Sequence, residues 1–372
     1  MSKITKYVFT DLYDMSSGIS STKEQAGHGA PFVSFSTVFN NYFLPDELAD
    51  KMDTSPREQE TCSVKKGDIL ITRTSETIDE LAMSCVVLKD YPKATFSGFV
   101  KRLRPKTTGI VYDKFIAFYL RSKLFRKTVT NNASMTLRAS FNEDIFSFLH
   151  LYLPEYDEQI KIGDLLYNIE MKIRNNNRVN DNLEQMAYEN YMHHFFRKKP
   201  NKKLDDIIVE NSKSSIQVGE AKNAKGSYPF FTSGGAIFKW NESLIDGRNC
   251  FLNTGGNADV KFYIGGAAYS TDTWCITAKN GMSDYLYLML KSIKPELNKK
   301  FFQGTGLRHL QKPLLKNRAI YVPSGDEIEV FNKTINPMLD MISSNTRETQ
   351  SLIAIRDWLI PMSVNGQATI CD

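Results

Sequence analysis

The sequence predicts an α+β protein of two pseudo-symmetric halves, each a strand-rich domain followed by a long helix. Three observations lead there. The chain repeats itself at a nearly constant offset, each repeat opens with β-type segments set among turn residues, and each repeat closes on an apolar seam of helical period.

With 372 residues the chain is long enough for two comparable cores. Its 41% hydrophobic and 24% charged residues are those of an ordered globular protein, which excludes the disordered class. The repeat is clearest near the middle and the end. Leu151-Tyr152-Leu153-Pro154 followed by Asp157-Glu158 lines up with Ile320-Tyr321-Val322-Pro323 followed by Asp326-Glu327 at an offset of 169. Ile162, Leu166, Ile169, Ile173 and Leu183 then fall on Phe331, Ile335, Met338, Ile342 and Leu352 without a gap. Upstream, with short insertions, Leu137-Arg138 pairs with Leu307-Arg308, the strand Gly67 to Thr72 with Cys250 to Thr254, and Pro31 to Ser34 with Pro229 to Thr232.

The strand-rich segments include Cys85 to Leu88 and Phe96 to Leu103. From Glu158 to about Phe196 the apolar positions step by four and three, the seam of an antiparallel or coiled-coil helix. About 38 residues at roughly 1.5 Å each make a helix near 57 Å, longer than one compact domain needs. The interface of the helix pair is expected at Leu166, Ile169, Ile173, Ile335 and Ile342. Asn176 and Asn345 occupy the next seam position of each repeat. A polar residue there fixes register; the alternative is that both face water where the seam is interrupted. Pro337 lies well inside the second helix, where it removes a hydrogen bond and is expected to kink it.

Charge and chemistry narrow the function classes. A net charge of +5 permits a polyanionic partner without requiring one. Basic residues cluster at Lys101, Arg102, Arg104 and Lys106, and again at Arg197, Lys198, Lys199, Lys202 and Lys203; such runs are also common as solvated faces. Cys62, Cys85, Cys250, Cys275 and Cys371 form an odd set without a C-x-x-C pair, which fits reduced thiols and no metal. No phosphate loop, H-E-x-x-H, G-x-S-x-G elbow or dinucleotide fingerprint is present. The doublets Gly234-Gly235, Gly255-Gly256 and Gly265-Gly266 read as turns. Asn336-Pro337 begins like a methyltransferase motif but continues as helix, and adjacent His193-His194 point to different helix faces and cannot chelate together. No apolar run is long enough for a membrane span and no secretory signal opens the chain, so a cytoplasmic protein is expected.

The helix ending Asn182 to Phe196 (NLEQMAYENYMHHFF) resembles the close of the central conserved region in Type I restriction-modification specificity subunits. Trp358 to Ile370 (WLIPMSVNGQATI) resembles their C-terminal ending, and Lys65 to Glu76 and Tyr228 to Trp240 resemble parts of their target recognition domains. The resemblance implies two target recognition domains, 1–153 and 199–322, separated by two long antiparallel conserved helices in the regions 154–198 and 323–372. It implies a chain with no cofactor and no catalysis of its own, which reads a bipartite double-stranded DNA target, one half per domain, and docks two methyltransferase (modification) subunits on its helices. Restriction subunits would join the full complex.

Candidate DNA contacts are Arg73, Thr74, Lys101, Arg102, Arg104 and Arg138 in the first half, and Lys222, Lys225, Asn257, Lys261 and Arg308 in the second, with Arg138 and Arg308 foremost as a matched pair. Two other classes stay open: a stand-alone nucleic-acid-binding protein without methyltransferase partners, and an enzyme whose site carries no familiar motif.

Overall fold

The computed structural model describes residues 3–75, 77, 80–132 and 139–364. It divides into two compact units, Met1–Lys172 with Leu352–Asp372, and Ile173–Ser351. The first contains β1 (Tyr13–Ser17), β2 (Ala26–Val33), β3 (Lys51–Met52), β4 (Ile69–Thr72), β5 (Ser84–Val86), β6 (Thr95–Phe96) and β7 (Val100–Pro105). The second contains β8 (Ile208–Glu210), β9 (Tyr228–Phe231), β10 (Ile237–Trp240), β11 (Arg248–Asn253), β12 (Val260–Ile264), β13 (Ala268–Tyr269) and β14 (Thr273–Ala278).

These strands form the same two sheets twice. A four-stranded antiparallel sheet has the order β1-β7-β4-β5 in the first unit and β8-β14-β11-β12 in the second. A three-stranded sheet has the order β3-β2-β6 and β10-β9-β13, its last pair parallel in both units. Register agrees residue by residue. Ile71 faces Lys101 where Leu252 faces Trp274, and Val33 faces Phe96 where Phe231 faces Tyr269. The similarity of Pro31–Ser34 to Pro229–Thr232, and of the strand after Gly67 to that at Cys250, is therefore structural equivalence.

The central strand β4, Ile-Leu-Ile-Thr, is buried on both faces. Alternation sends Ile69 and Ile71 to a core with Leu103, Phe115 and Leu166, and Leu70 to a second core with Cys85, Phe96 and Val100. The turn into β4 explains the Lys-Lys-Gly-Asp stretch. Gly67 has φ +86°, which favours glycine. Fully buried Asp68 accepts from the Lys65 N–H at 2.8 Å and from Arg104 Nε and Nη2 at 2.8 and 2.7 Å.

The long helices are α1 (Tyr156–His194) and α2 (Gly325–Val364). Their seam residues serve domain cores as well as each other. Leu166 belongs to the first unit's core with Phe115 and Ile360. Ile335 belongs to the second unit's core with Tyr191, Tyr285 and Leu339, and Ile342 packs against it. Ile169 is half-buried and Ile173 buried. Pro337, where a kink is expected, is exposed, and α2 continues through it without interruption.

Within the second unit, Asn176 Nδ2 donates to Glu348 Oε2 at 2.7 Å and to Thr349 Oγ1 at 3.4 Å, and Asn345 Nδ2 donates to Asn180 Oδ1 at 2.9 Å. The helices are antiparallel there. Adding 169 carries Asn176 onto Asn345 and Asn180 onto Thr349, so the repeat exchanges the two pairs, as a two-fold axis would. At one place the exchange fails. In the first unit Arg356 Nη1 donates to Glu170 Oε2 at 2.7 Å, its guanidinium 5.0 Å from the Tyr42 ring. The repeat equivalents in the second unit are Ala187 and Leu339, both in the apolar core.

A further ion cluster has a pH consequence. Arg248 Nη1 donates to Asp284 Oδ2 at 2.7 Å and its Nη2 to Asp340 Oδ1 at 2.6 Å. Asp284 is 1% exposed, its Oδ1 has no partner among the described residues, and burial pushes its carboxyl up to about 6 despite Arg248. A carboxyl raised above its unfolded value binds protons more readily when folded, so its contribution is complete below about pH 4 and lost as pH rises through about 6. Asp284→Asn is expected to flatten this fall by roughly 1 to 3 kcal/mol between those limits, read as the urea midpoint against pH. A wild-type slope in the variant would contradict the assignment.

Among the described residues Cys62, Cys85, Cys250 and Cys275 are free thiols, and no helix is long and apolar enough to cross a membrane. Cys371 lies outside the described residues.

Candidate nucleic-acid interface

The ends of β4 and β11 and the turns entering β7 and β14 form the same loop cluster in each unit. In the first unit, Ser97 N–H donates to Val33 O (3.0 Å), Gly98 N–H to Ile19 O (2.7 Å), Val100 N–H to Ser97 O (2.9 Å), Arg73 N–H to Phe99 O (2.7 Å) and Phe141 N–H to Arg73 O (2.7 Å). In the second, Ser270 donates to Phe231 (2.9 Å), Thr271 to Ile216 (3.0 Å), Thr273 to Ser270 (3.0 Å), Thr254 to Asp272 (2.9 Å) and Leu310 to Thr254 (2.9 Å). Five main-chain bonds thus recur in order. They place Arg73 and Phe99 in one unit where Thr254 and Asp272 stand in the other.

The sequence candidates divide by what their polar atoms already do. Arg73 is exposed, and Thr74 is half-buried in a short strand paired with Ala139–Ser140. Lys101, Arg102 and Arg104 lie on β7 within the sheet, each with a partner in the chain. Lys101 Nζ donates to Ser17 Oγ at 2.9 Å, and its ammonium is held below the ordinary lysine range by burial first and by Arg73 second. Arg102 Nη1 donates to Ser63 O at 2.7 Å, its guanidinium 5.6 Å from the Phe96 ring, and Arg104 is the bidentate partner of Asp68. A cation inside a sheet is tolerated when it finds partners there: Arg104 has its carboxylate, Lys101 and Arg102 have neutral oxygens, and Arg102 Nε is buried without a partner among the described residues. Arg138 lies outside the described residues.

In the second unit Lys222 and Lys225 are exposed before β9. Arg308 Nη2 donates to Asn257 Oδ1 and its Nη1 to Asn298 O at 3.2 Å, so the two predicted residues meet beside the Thr254 turn. Lys261 faces inward: its Nζ donates to Thr232 O at 2.8 Å and to Gly234 O, tying down the loop between β9 and β10. A cavity of about 350 Å³ opens beside the tip, lined by Thr254, Asp272, Trp274, Lys213 and Lys312. Lys312 Nζ lies 4.9 Å from the Trp274 ring.

Three exposed residues here were not among the candidate contacts read from sequence: Phe99 (60% exposed), Asp272 and Leu307. Aligning Phe96-Ser97-Gly98-Phe99 with Tyr269-Ser270-Thr271-Asp272 would have found the first two, since aromatic-Ser opens both turns.

Comparison with known proteins agrees with the doubled architecture. Residues 10–185 and 198–355 each match the family described as the Type I restriction modification DNA specificity domain. The specificity subunit of the Type I restriction enzyme MjaIX of Methanocaldococcus jannaschii is 21% identical over 94% of this chain and 89% of its own length. The crystal structure of the S subunit of a Type I restriction-modification system from M. genitalium superposes with a TM-score of 0.63 at 14% identity, covering 98% of this chain and 96% of that one.

Proposed function

Because the chain belongs to the Type I restriction modification DNA specificity family, a recognition subunit rather than an enzyme, we propose that its two strand-rich halves each read one half of a bipartite double-stranded DNA target. The observation that carries this reading is the recurrence of one loop cluster, bond for bond, with different side chains at the same places. Equal scaffolds with unequal tips suit two readers of unequal half-sites.

On this reading the recognition domains are 1–153 and 199–322. The helical regions 154–198 and 323–372 set the gap between half-sites and dock two methyltransferase subunits, with restriction subunits joining the cytoplasmic complex. Half-sites on one face of a duplex lie about 34 to 36 Å apart, within reach of helices of this length. Arg73, Lys222, Lys225 and Arg308 supply contacts to phosphate or base edges, and Thr74 and Asn257 short polar contacts. Lys261 holds a loop.

The test exchanges residues 2–149 for the matching part of a relative and maps methylated sites in cells carrying the altered chain with its partners. One half of the recognised sequence is expected to change while the other stays. A swap that alters both halves together, or neither, overturns the two-reader proposal.

A further inference from the structure

The loop cluster also points to the residues that do the reading. Resting on the proposal that the chain binds double-stranded DNA, we infer that the tip residue of the repeated turn is a specificity determinant in each half. Phe99 stacks on or inserts beside a base of one half-site, and Asp272 accepts a hydrogen bond from a base amino group of the other.

Phe99 is 60% exposed although full burial of such a ring is worth roughly 1.5 to 3 kcal/mol. The turn does not let it fold back. Bonds at Ser97, Gly98, Phe99 and Val100 fix the main chain on both sides of the ring. The neighbouring strand crosses so closely at Gly18 that a Cβ there would lie 2.3 Å from Phe96 O and Ser97 O. An aromatic side chain on a fixed main chain has only two torsions to lose on binding. Its surroundings name the partner: Arg73 donates its N–H to Phe99 O and is itself exposed. An aromatic beside an exposed cation fits a base next to phosphates, where stacking supplies affinity and the cation supplies attraction.

At the same point of the second unit the exposed Asp272 replaces the ring, and Thr254 Oγ1 donates to Asp272 O at 3.0 Å. A carboxylate is repelled by phosphates. It gains on DNA only by accepting from an exocyclic amino group such as cytosine N4. Lys213 and Lys312 line the cavity that Asp272 also lines, and bring positive charge to the same face for the phosphates.

The experiment selects bound duplexes from a randomised library with the full-length chain and with Phe99→Ala, Phe99→Tyr and Asp272→Ala, and titrates the preferred duplex over a salt series. Wild type is expected to select a bipartite sequence. Phe99→Ala relaxes one position or step in one half-site and weakens the preferred duplex about 5- to 150-fold, whereas Phe99→Tyr keeps both. Asp272→Ala relaxes a position in the other half-site. Salt slopes stay at the wild-type value, because neither residue neutralises a phosphate, and unchanged melting shows that the variants fold. Wild-type selectivity in both alanine variants overturns the inference, as does a loss equal on all sequences. So does an intact preference combined with loss of co-purifying methyltransferase subunits, which would make the tip a protein contact. A wild-type chain that selects no sequence refutes the DNA-reading proposal itself, and is told apart by that.

Discussion

Replacing Ile335 by aspartate is expected to unfold the second unit. Ile335 is fully buried in the core that joins α2 to Tyr191 of α1, to Tyr285 of the strand-rich domain and to Leu339. The change forfeits about 1.5 to 3 kcal/mol of apolar burial. It also demands either an unpaired charge in the core or a carboxyl kept protonated far above its usual range. Together these exceed about 5 kcal/mol, the lower end of a domain's whole stability. The conservative Ile335→Val should cost only about 0.5 to 1.5 kcal/mol. Urea unfolding followed by tryptophan fluorescence reads the difference, since Trp274 shares this core. Similar midpoints for the two variants would mean that this face of α2 is not buried.

The second large effect is expected at the place where the repeat breaks its own symmetry. Glu170 and Arg356 have side chains only 9% and 14% exposed, and removing one partner of a buried pair costs far more than the pair is worth intact. Arg356→Ala is expected to destabilise the first unit by about 3 kcal/mol. The double variant Glu170→Leu/Arg356→Ala installs the residues that the repeat uses at the equivalent place, Leu339 and Ala187. It is expected to return to within about 1 kcal/mol of wild type or to surpass it, as apolar replacements of buried ion pairs often do. A thermal double-mutant cycle measures this. A double variant no more stable than Arg356→Ala would show that the two ends of the frame are not interchangeable.

Much of the architecture was legible in the sequence because repetition averages out local ambiguity. Gly67 to Thr72 alone is a short apolar run, but its match with Cys250 to Thr254 made two weak signals into one expected strand, and the sheets pair both at the same place. The site was less legible. Lys101, Arg102 and Arg104 look like a basic face, and their partners, Ser17, the carbonyl of Ser63 and Asp68, lie thirty or more positions upstream. Pairing across that separation leaves no periodic trace. The partners of Lys261 are equally out of sight in the sequence, lying in the loop after β9. Phe99 and Asp272 escaped because neither residue type is unusual; only the shared hydrogen bonds show that they stand at one place.

Those bonds have an evolutionary consequence. The repeated turn is held by main-chain groups, so the identity of residue 99 or 272 enters almost nowhere into folding, and exchanges there should shift stability by no more than about 0.5 kcal/mol. A lineage can therefore try new residues at either tip in turn, with no compensating change in the core and with the other half left at work. Novelty at such a position is limited by what the new target does to the cell, and hardly at all by whether the protein still folds.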